Sequence, residues 1–155
     1  MHRAALESQN KLVTRRFVEW ACQHVASKDY LSEYLAIHNA LLSRCRYMRD
    51  PRTVELVKAP YLVFDEILQG GTPSIDCDDY AACEEAAIMS VGGSAQLVTV
   101  AFRDQFYDGR RQYSHVFARA LEPRTQTWLV LDPVAANKTR EMLAKVKAAA
   151  IWPCA

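Results

Sequence analysis

Residues 70–93 read GGTPSIDCDDYAACEEAAIMSVGG, a run of helix-forming residues enclosed between two glycine pairs. The Gly-Gly-Thr-Pro segment breaks any preceding element, and Asp76 then suits the N-cap of a helix. Asp79 follows three residues later, as in a capping box. The second glycine pair is typical of a helix C-terminus. The pattern therefore predicts a central helix whose first turn contains Cys77.

Two apolar patterns at helical spacing precede this central helix. They predict helices over 6–27 and 30–45. A third apolar stretch, 54–68, is interrupted at Pro60 and predicts short helical turns. The N-terminal part of the chain is therefore expected to be helical.

The pattern changes after the second glycine pair. β-Branched and aromatic residues predict three consecutive antiparallel strands, over 96–102, 112–121 and 127–134. Asp108-Gly109 is a turn signal between the first two of these strands. Residues 138–150 predict a closing helix. Helices followed by an antiparallel sheet indicate the α+β class, with the N-terminal helices and the central helix packed on the sheet.

Composition and charge exclude several classes of protein. Hydrophobic residues make up 50% of the chain and charged residues 24%, which is the balance of a globular protein. The formal net charge is +1, so no basic field attracts nucleic acid or an anionic membrane. No stretch approaches the roughly 18 apolar residues of a membrane helix, and residues 1–10 lack the apolar core of a signal peptide. We therefore expect a cytoplasmic protein that binds neither nucleic acid nor membranes.

The cysteines do not form a structural framework. Their number is odd and no two form a C-x-x-C pair, which argues against a disulfide framework and against a zinc site. The five cysteines are Cys22, Cys45, Cys77, Cys83 and Cys154. We expect reduced thiols, most of them in the core. Cys77 differs, because unpaired N–H groups and the helix dipole favour a thiolate in a first helical turn. The carboxylates of Asp76, Asp78 and Asp79 oppose that thiolate, so a reactive Cys77 needs a cationic partner.

His115 is the candidate for that partner. It lies within the second predicted strand, and Asp132 lies at the end of the third. If the two strands are antiparallel neighbours, Asp132 comes alongside His115, orients the imidazole and stabilises its protonated form. His24 and His38 lie on predicted helices without a partner motif and are interpreted as structural or surface residues, and His2 is expected in a frayed terminus.

Three blocks of sequence carry a family resemblance. Residues 76–81 (DCDDYA), 113–116 (YSHV) and 128–133 (WLVLDP) resemble the signature blocks of the transglutaminase-like superfamily, whose members share a papain-like core. The segment 47–60 is similar to the lead-in of small bacterial and bacteriophage-type members, so that the resemblance covers about 46–134.

The resemblance implies a fold and a set of roles. It implies a papain-like or transglutaminase-like core, in a single domain over 1–155 with a helical part at 1–69 and a catalytic core at 70–155. The implied roles are nucleophile for Cys77, general acid and base for His115, and orienting carboxylate for Asp132. The backbone N–H of Cys77 is the expected oxyanion donor, and Gln69 is a side-chain candidate for the same task.

The implied activity is hydrolysis of peptide or side-chain amide bonds through a thioester, with a peptide or protein as substrate. Acyl transfer to an amine, as in a transglutaminase, uses the same site and remains an alternative. A binding or assembly module that keeps the fold without catalysis is another. We expect no cofactor. We also expect no metal ion, because the acidic run around Cys77 lacks the remainder of a calcium-binding loop and suits helix capping better.

Overall fold

The computed structural model describes residues 1–50, 56–134 and 139–152. Within these ranges the chain forms six helices: α1 (His2–Gln9), α2 (Leu12–Ala21), α3 (Tyr30–Arg44), α4 (Pro60–Leu68), α5 (Cys77–Ser90) and α6 (Thr139–Leu143). It also forms eight strands: β1 (Arg46–Tyr47), β2 (Ser74–Ile75), β3 (Ser94–Ala101), β4 (Phe106–Tyr107), β5 (Arg110–Arg111), β6 (His115–Glu122), β7 (Thr127–Leu131) and β8 (Ala148–Trp152). No helix in the described ranges combines the length and apolarity needed to span a bilayer.

The main sheet has the strand order β7-β6-β3-β8, and every neighbouring pair is antiparallel. The helix α5 packs against β6 and β3 on one side and contacts α1, α2, α3 and α4 on others. Residues Asp79 to Ile88 of α5 are consequently all buried. The α+β class predicted from the sequence is therefore confirmed, with the central helix enclosed between the sheet and the N-terminal helices.

Both ends of α5 follow from the residues that flank it. Asp76 is the N-cap in extended conformation, and its backbone N–H donates to the Asp79 carboxylate. The Asp76 side chain makes no cap hydrogen bond, so only half of the predicted capping box forms. At the other end, Gly92 has a φ of 79°. A Cβ on Gly93 would lie 2.6 Å from the Tyr34 hydroxyl, which explains the glycine there.

The helical predictions near the N-terminus need correction. The single helix expected over 6–27 is two helices, α1 and α2, and the second ends at Ala21. Pro60 does not interrupt a helix but begins one, because proline fits the first helical position, where its missing N–H costs nothing. Residues 54 and 55 of the expected 54–68 stretch lie outside the described residues.

The closing helix expected over 138–150 is wrong for most of its length. The described helix α6 is Thr139–Leu143, and the strand β8 follows, with Ala149 paired to Val100 of β3. Alanine favours a helix, but here hydrogen bonding to the open edge of β3 overrides that preference. Residue 138 itself lies outside the described residues.

The strand predictions hold with shifted ends. The first two expected strands correspond to β3 and β6, but β6 begins at His115 instead of residue 112. Residues 110–111 pair with β4 in a small separate hairpin. The predicted Asp108-Gly109 turn joins it, and both residues have positive φ, as a tight hairpin turn requires.

Candidate active site

Cys77 is placed by two short elements and one helix. It is the first residue of α5 and follows β2, which pairs in parallel with β1 through Tyr47 and Ile75. The Cys77 side chain is half-buried and lines a cleft of about 210 Å³. His115, Asp76 and Asp78 line the same cleft. As the first helical residue, Cys77 has a backbone N–H with no acceptor inside the helix.

His115 and Asp132 come from neighbouring strands. The β6–β7 register pairs Ala118 with Leu131, so that Asp132, one residue beyond β7, lies diagonally across from His115 on the same face. The His115 Nε2 atom lies 2.8 Å from Asp132 Oδ2. Asp132 is 1% exposed, and its Oδ1 accepts the backbone N–H of Val134 at 2.8 Å. This carboxylate is therefore fixed by hydrogen bonds to both of its oxygens.

The electrostatics of His115 favour the imidazolium. Burial opposes its charge, but hydrogen bonds to Asp132 and Cys77, together with their negative charges, raise its pKa to about 9. Because Asp132 occupies Nε2, the other ring nitrogen is left for the thiol. Phe102 stacks on the imidazole with centroids 6.3 Å apart, which restricts the ring further. The structure thus brings together Cys77, His115 and Asp132, the three residues singled out in the sequence.

The acidic residues around Cys77 carry less charge than their number suggests. Burial, a hydrogen bond to Asp76 and nearby carboxylates raise the pKa of Asp78 to about 8. Burial also raises the pKa of Asp79, to about 6, although its carboxylate accepts the Lys58 backbone N–H at 2.6 Å. At neutral pH the Asp78 carboxyl therefore retains its proton. The opposition to a Cys77 thiolate is weaker than the sequence indicates.

The carboxylates of Asp76, Asp78 and Asp79 are clustered closely enough to be considered as metal ligands. One oxygen from each lies within 4.8 Å of the others. The hydrogen bond between Asp76 and Asp78 and those that hold Asp79 account for this closeness. The geometry alone therefore assigns no cation here.

Gln69 is not brought to the cleft. It forms the C-cap of α4, and its Nε2 donates to Asp65 Oδ2 at 2.8 Å. Its side chain lines a separate surface pocket with Leu12, Val13 and Arg16. Of the two candidates for the oxyanion donor, only Cys77 therefore lies at the cleft.

Tyr47 lies near Cys77, and no sequence signal assigned it a role. Its ring stacks on Tyr80, with centroids 6.3 Å apart. Burial, and next the negative charge of Cys77, raise the pKa of Tyr47, whereas a hydrogen bond to Arg49 lowers it. The phenol therefore lies close to the thiol. The pairing of Tyr47 with Ile75 across 28 positions of sequence is a tertiary feature, and no local pattern indicated it.

Two further histidines have buried carboxylate partners. His38 Nδ1 lies 2.5 Å from Glu84 Oε1, and His2 Nδ1 lies 2.8 Å from Glu85 Oε1. The interpretation of His2 as frayed is wrong, because this bond holds α1 against α5. No sequence signal points to either pair, since their members are 46 and 83 positions apart.

Comparison with known proteins defines the fold. No protein-family model matches the chain, and no curated protein matches it. A candidate cysteine protease from Cytophaga hutchinsonii matches with a TM-score of 0.54 and 15% identity, over 90% of this chain and 47% of that one. A candidate protease from Parabacteroides distasonis matches with a TM-score of 0.55 and 12% identity, over 86% of this chain and 27% of that one.

The likeness is one of fold. It is consistent with the papain-like core that the sequence blocks imply. The chain spans 47% of the length of the first neighbour and 27% of the second, so it corresponds to one part of each.

Proposed function

We propose that this protein is a cysteine-dependent hydrolase that cleaves peptide or side-chain amide bonds. One observation carries the proposal. His115 is hydrogen-bonded to Asp132 at 2.8 Å, and it lines one cleft together with Cys77, whose thiol acts on the pKa of the imidazole. A thiol, an imidazolium and an orienting carboxylate in this order are the parts of a cysteine nucleophile system.

The proposed reaction has two halves, formation of a thioester on Cys77 and its hydrolysis. The Cys77 thiolate attacks the amide carbonyl, and the Cys77 backbone N–H at the start of α5 stabilises the negative charge that develops on oxygen. His115 donates its proton to the leaving nitrogen, and a thioester to Cys77 remains. A water molecule, deprotonated by His115, then attacks the thioester and releases the acid and the free thiol. Asp132 keeps the imidazole oriented throughout.

The fold neighbours support an activity of this kind at a coarse level, since both are described as candidate proteases, one of them a cysteine protease. The finer assignment to the transglutaminase-like superfamily rests on the three sequence blocks. If a primary amine replaced water in the second half-reaction, the same site would perform transamidation.

The first experiment compares the cysteines by their reactivity. Burial raises the thiol pKa of Cys22 to about 11 and of Cys45 to about 12, and it raises the pKa of Cys83 well above its usual value. These three thiols are matched internal controls within one folded protein. Brief iodoacetamide treatment followed by peptide mass spectrometry should label Cys77 first. His115→Gln should slow that labelling, whereas His24→Gln at an exposed position should not.

The second experiment identifies the reaction. A peptide mixture is incubated with the protein, with and without an added primary amine, and the products are weighed by mass spectrometry. Hydrolysis adds the mass of water to each cleaved bond, and transamidation adds the amine. Cys77→Ala should abolish the products. Equal labelling of Cys77 and the buried thiols, together with no product from any peptide, would contradict the proposal and indicate a binding module without catalytic activity.

A further inference from the structure

Lys58 makes hydrogen bonds to the chain on both sides of Cys77. Its ammonium donates to the Ser74 carbonyl, which precedes the thiol. Its backbone N–H donates to Asp79 Oδ1 at 2.6 Å, in the first turn of the helix that follows the thiol. One residue from a separate segment thus holds both sides of the junction between β2 and α5, and the proposed reaction gives it no role.

The Ser74 carbonyl needs a donor because of the way β2 is paired. The strand β1 donates to the carbonyls of Pro73 and Ile75, at 2.8 and 2.9 Å. Successive carbonyls alternate in direction along a strand, so that of Ser74 points to the opposite edge. Among the described residues, no strand pairs with β2 on that edge. The Lys58 ammonium supplies the donor that a third strand would otherwise provide.

Asp79 connects the second hydrogen bond to the start of α5. It is 1% exposed, and its carboxylate accepts the N–H of Asp76 as well as that of Lys58. Burial raises the pKa of Asp79 to about 6, so the carboxylate is ionised at neutral pH. Its hydrogen bonds to two backbone amides are therefore charge-assisted. They tie the residue before Cys77 both to the first helical turn and to Lys58.

The start of α5 lacks one of the usual supports. Asp76 is the N-cap, but its side chain makes no cap hydrogen bond. An N-cap side chain normally fixes the first turn, and its loss costs about 1 kcal/mol. Cys77 follows directly, so the direction of its thiol and of its free N–H depends on this turn. The hydrogen bonds of Lys58 hold the segment that the N-cap side chain leaves without support.

We propose that Lys58 is a positioning residue that fixes the junction of β2 and α5, so that the thiol and the backbone N–H of Cys77 keep their orientation at the cleft. This inference rests on the proposed function for its catalytic meaning. Lys58 acts through Ser74 and Asp79, and it is not among the residues that line the cleft.

The first test is kinetic, with the full chain and a peptide that the wild type hydrolyses. Lys58→Met nearly keeps the length of an exposed side chain and removes its ammonium. It should lower kcat about tenfold and change KM less than about twofold, because a misplaced nucleophile slows the reaction of bound substrate. Lys58→Arg, which can donate to the Ser74 carbonyl, should recover most of the loss. Lys11→Met makes the same change of charge at an exposed lysine of the α2 N-cap and should match the wild type.

The second test needs no substrate. Amide hydrogen exchange followed by NMR measures how firmly Asp79 holds the Asp76 N–H. Lys58→Met should speed the exchange of this amide about tenfold, because the junction opens more easily. The amide of the buried Ala118, within β6, should keep its rate. A merely structural role for Lys58 would speed the exchange of both amides by the same factor and leave kcat unchanged.

A measurement on the wild type covers the case in which Lys58→Met does not fold. NMR of the lysine ammonium groups reports how fast their protons exchange with water. The Lys58 ammonium should exchange more slowly than that of Lys11, since the Ser74 carbonyl holds it. Equal rates would contradict the proposal.

The kinetic results can overturn the inference in three ways. The first is a wild-type kcat in Lys58→Met, and the second is a Lys58→Arg variant as slow as Lys58→Met. The third is a loss confined to KM, which would place Lys58 against the substrate.

The two proposals fail separately. If the protein hydrolyses nothing, faster exchange of the Asp76 amide in Lys58→Met still supports the role of Lys58 at the junction, and the proposed function is lost. Hydrolysis that depends on Cys77 but keeps its wild-type kcat in Lys58→Met does the reverse.

Discussion

The His115–Asp132 pair and the His38–Glu84 pair are built alike but face different surroundings. In each pair the histidine side chain is 9% exposed and the carboxylate 0%. The nitrogen–oxygen distances are 2.8 and 2.5 Å. In each, a buried carboxylate raises the pKa of the histidine. Only the first pair, however, reaches the cleft that Cys77 lines.

The difference shows that burial and pairing perturb a histidine wherever they occur, but that chemistry needs an open side and a nucleophile. The pair at the cleft should therefore govern reactivity. The pair in the core should govern stability.

The largest expected effect is on catalysis. His115→Gln should lower the rate of any hydrolysis by about 10²–10⁴-fold, because it removes the general acid and base. The rates are measured at pH 7 on folded protein, checked by circular dichroism. The matched variant His24→Gln should keep the wild-type rate. If His115→Gln lowered the rate of hydrolysis by tenfold or less, His115 would not be acting as the general acid and base.

The next effect separates the pairs by stability. Glu84→Ala removes the buried partner of His38 and should lower the free energy of unfolding by about 3–5 kcal/mol. Urea denaturation followed by fluorescence measures it. Cys77→Ala, at the half-buried edge of the same helix, should cost clearly less. Equal losses of unfolding free energy in the two variants would show that the core pair contributes no more to stability than a residue at the cleft.

A smaller effect concerns pH and stability. The pKa of His115 is about 9 in the folded protein and about 6.5 in an unfolded chain. Because the folded state holds this proton more tightly, its stabilising contribution is complete below pH about 6.5 and is lost as the pH rises through about 9.

The free energy of unfolding should therefore fall by about 1–3 kcal/mol between pH 6.5 and 9. The pKa of Asp78, raised to about 8 mainly by burial, adds to the fall with the same sign. Asp132→Asn should make the fall smaller, since it removes the main cause of the raised pKa of His115. An identical fall in that variant would show that Asp132 does not hold the His115 proton.

The smallest effect tests the acidic residues beside the thiol. Asp78 ionises only as the pH passes about 8. Asp78→Asn should therefore raise the rate of Cys77 alkylation by iodoacetamide about 2–5-fold at pH 9, where it removes a negative charge near the thiolate. At pH 6 it should change nothing. Asp65→Asn, on the exposed face of α4, is the control, and a rate increase at pH 6 would mean that Asp78 is already ionised there.

Local chemistry made much of the fold predictable. The glycine pairs and Asp76 mark the limits of α5, because caps depend on neighbouring residues. Alternating β-branched residues likewise mark β3, β6 and β7. The positions of His115 and Asp132 followed from strand alternation, since side chains two apart share a face. The strand β8 was missed because its alanines favour a helix until β3 offers an edge.

What the sequence determined by itself was the set of elements around Cys77 and the types of residue that can activate a thiol. Tertiary structure alone decided three other matters. It partly buried Asp78 so that its pKa rises, it turned Gln69 away from the cleft toward Asp65, and it paired His38 with Glu84 in the core. The physical reason is range: caps and periodicity act over a few residues, whereas desolvation and charge pairing depend on which distant segments pack together.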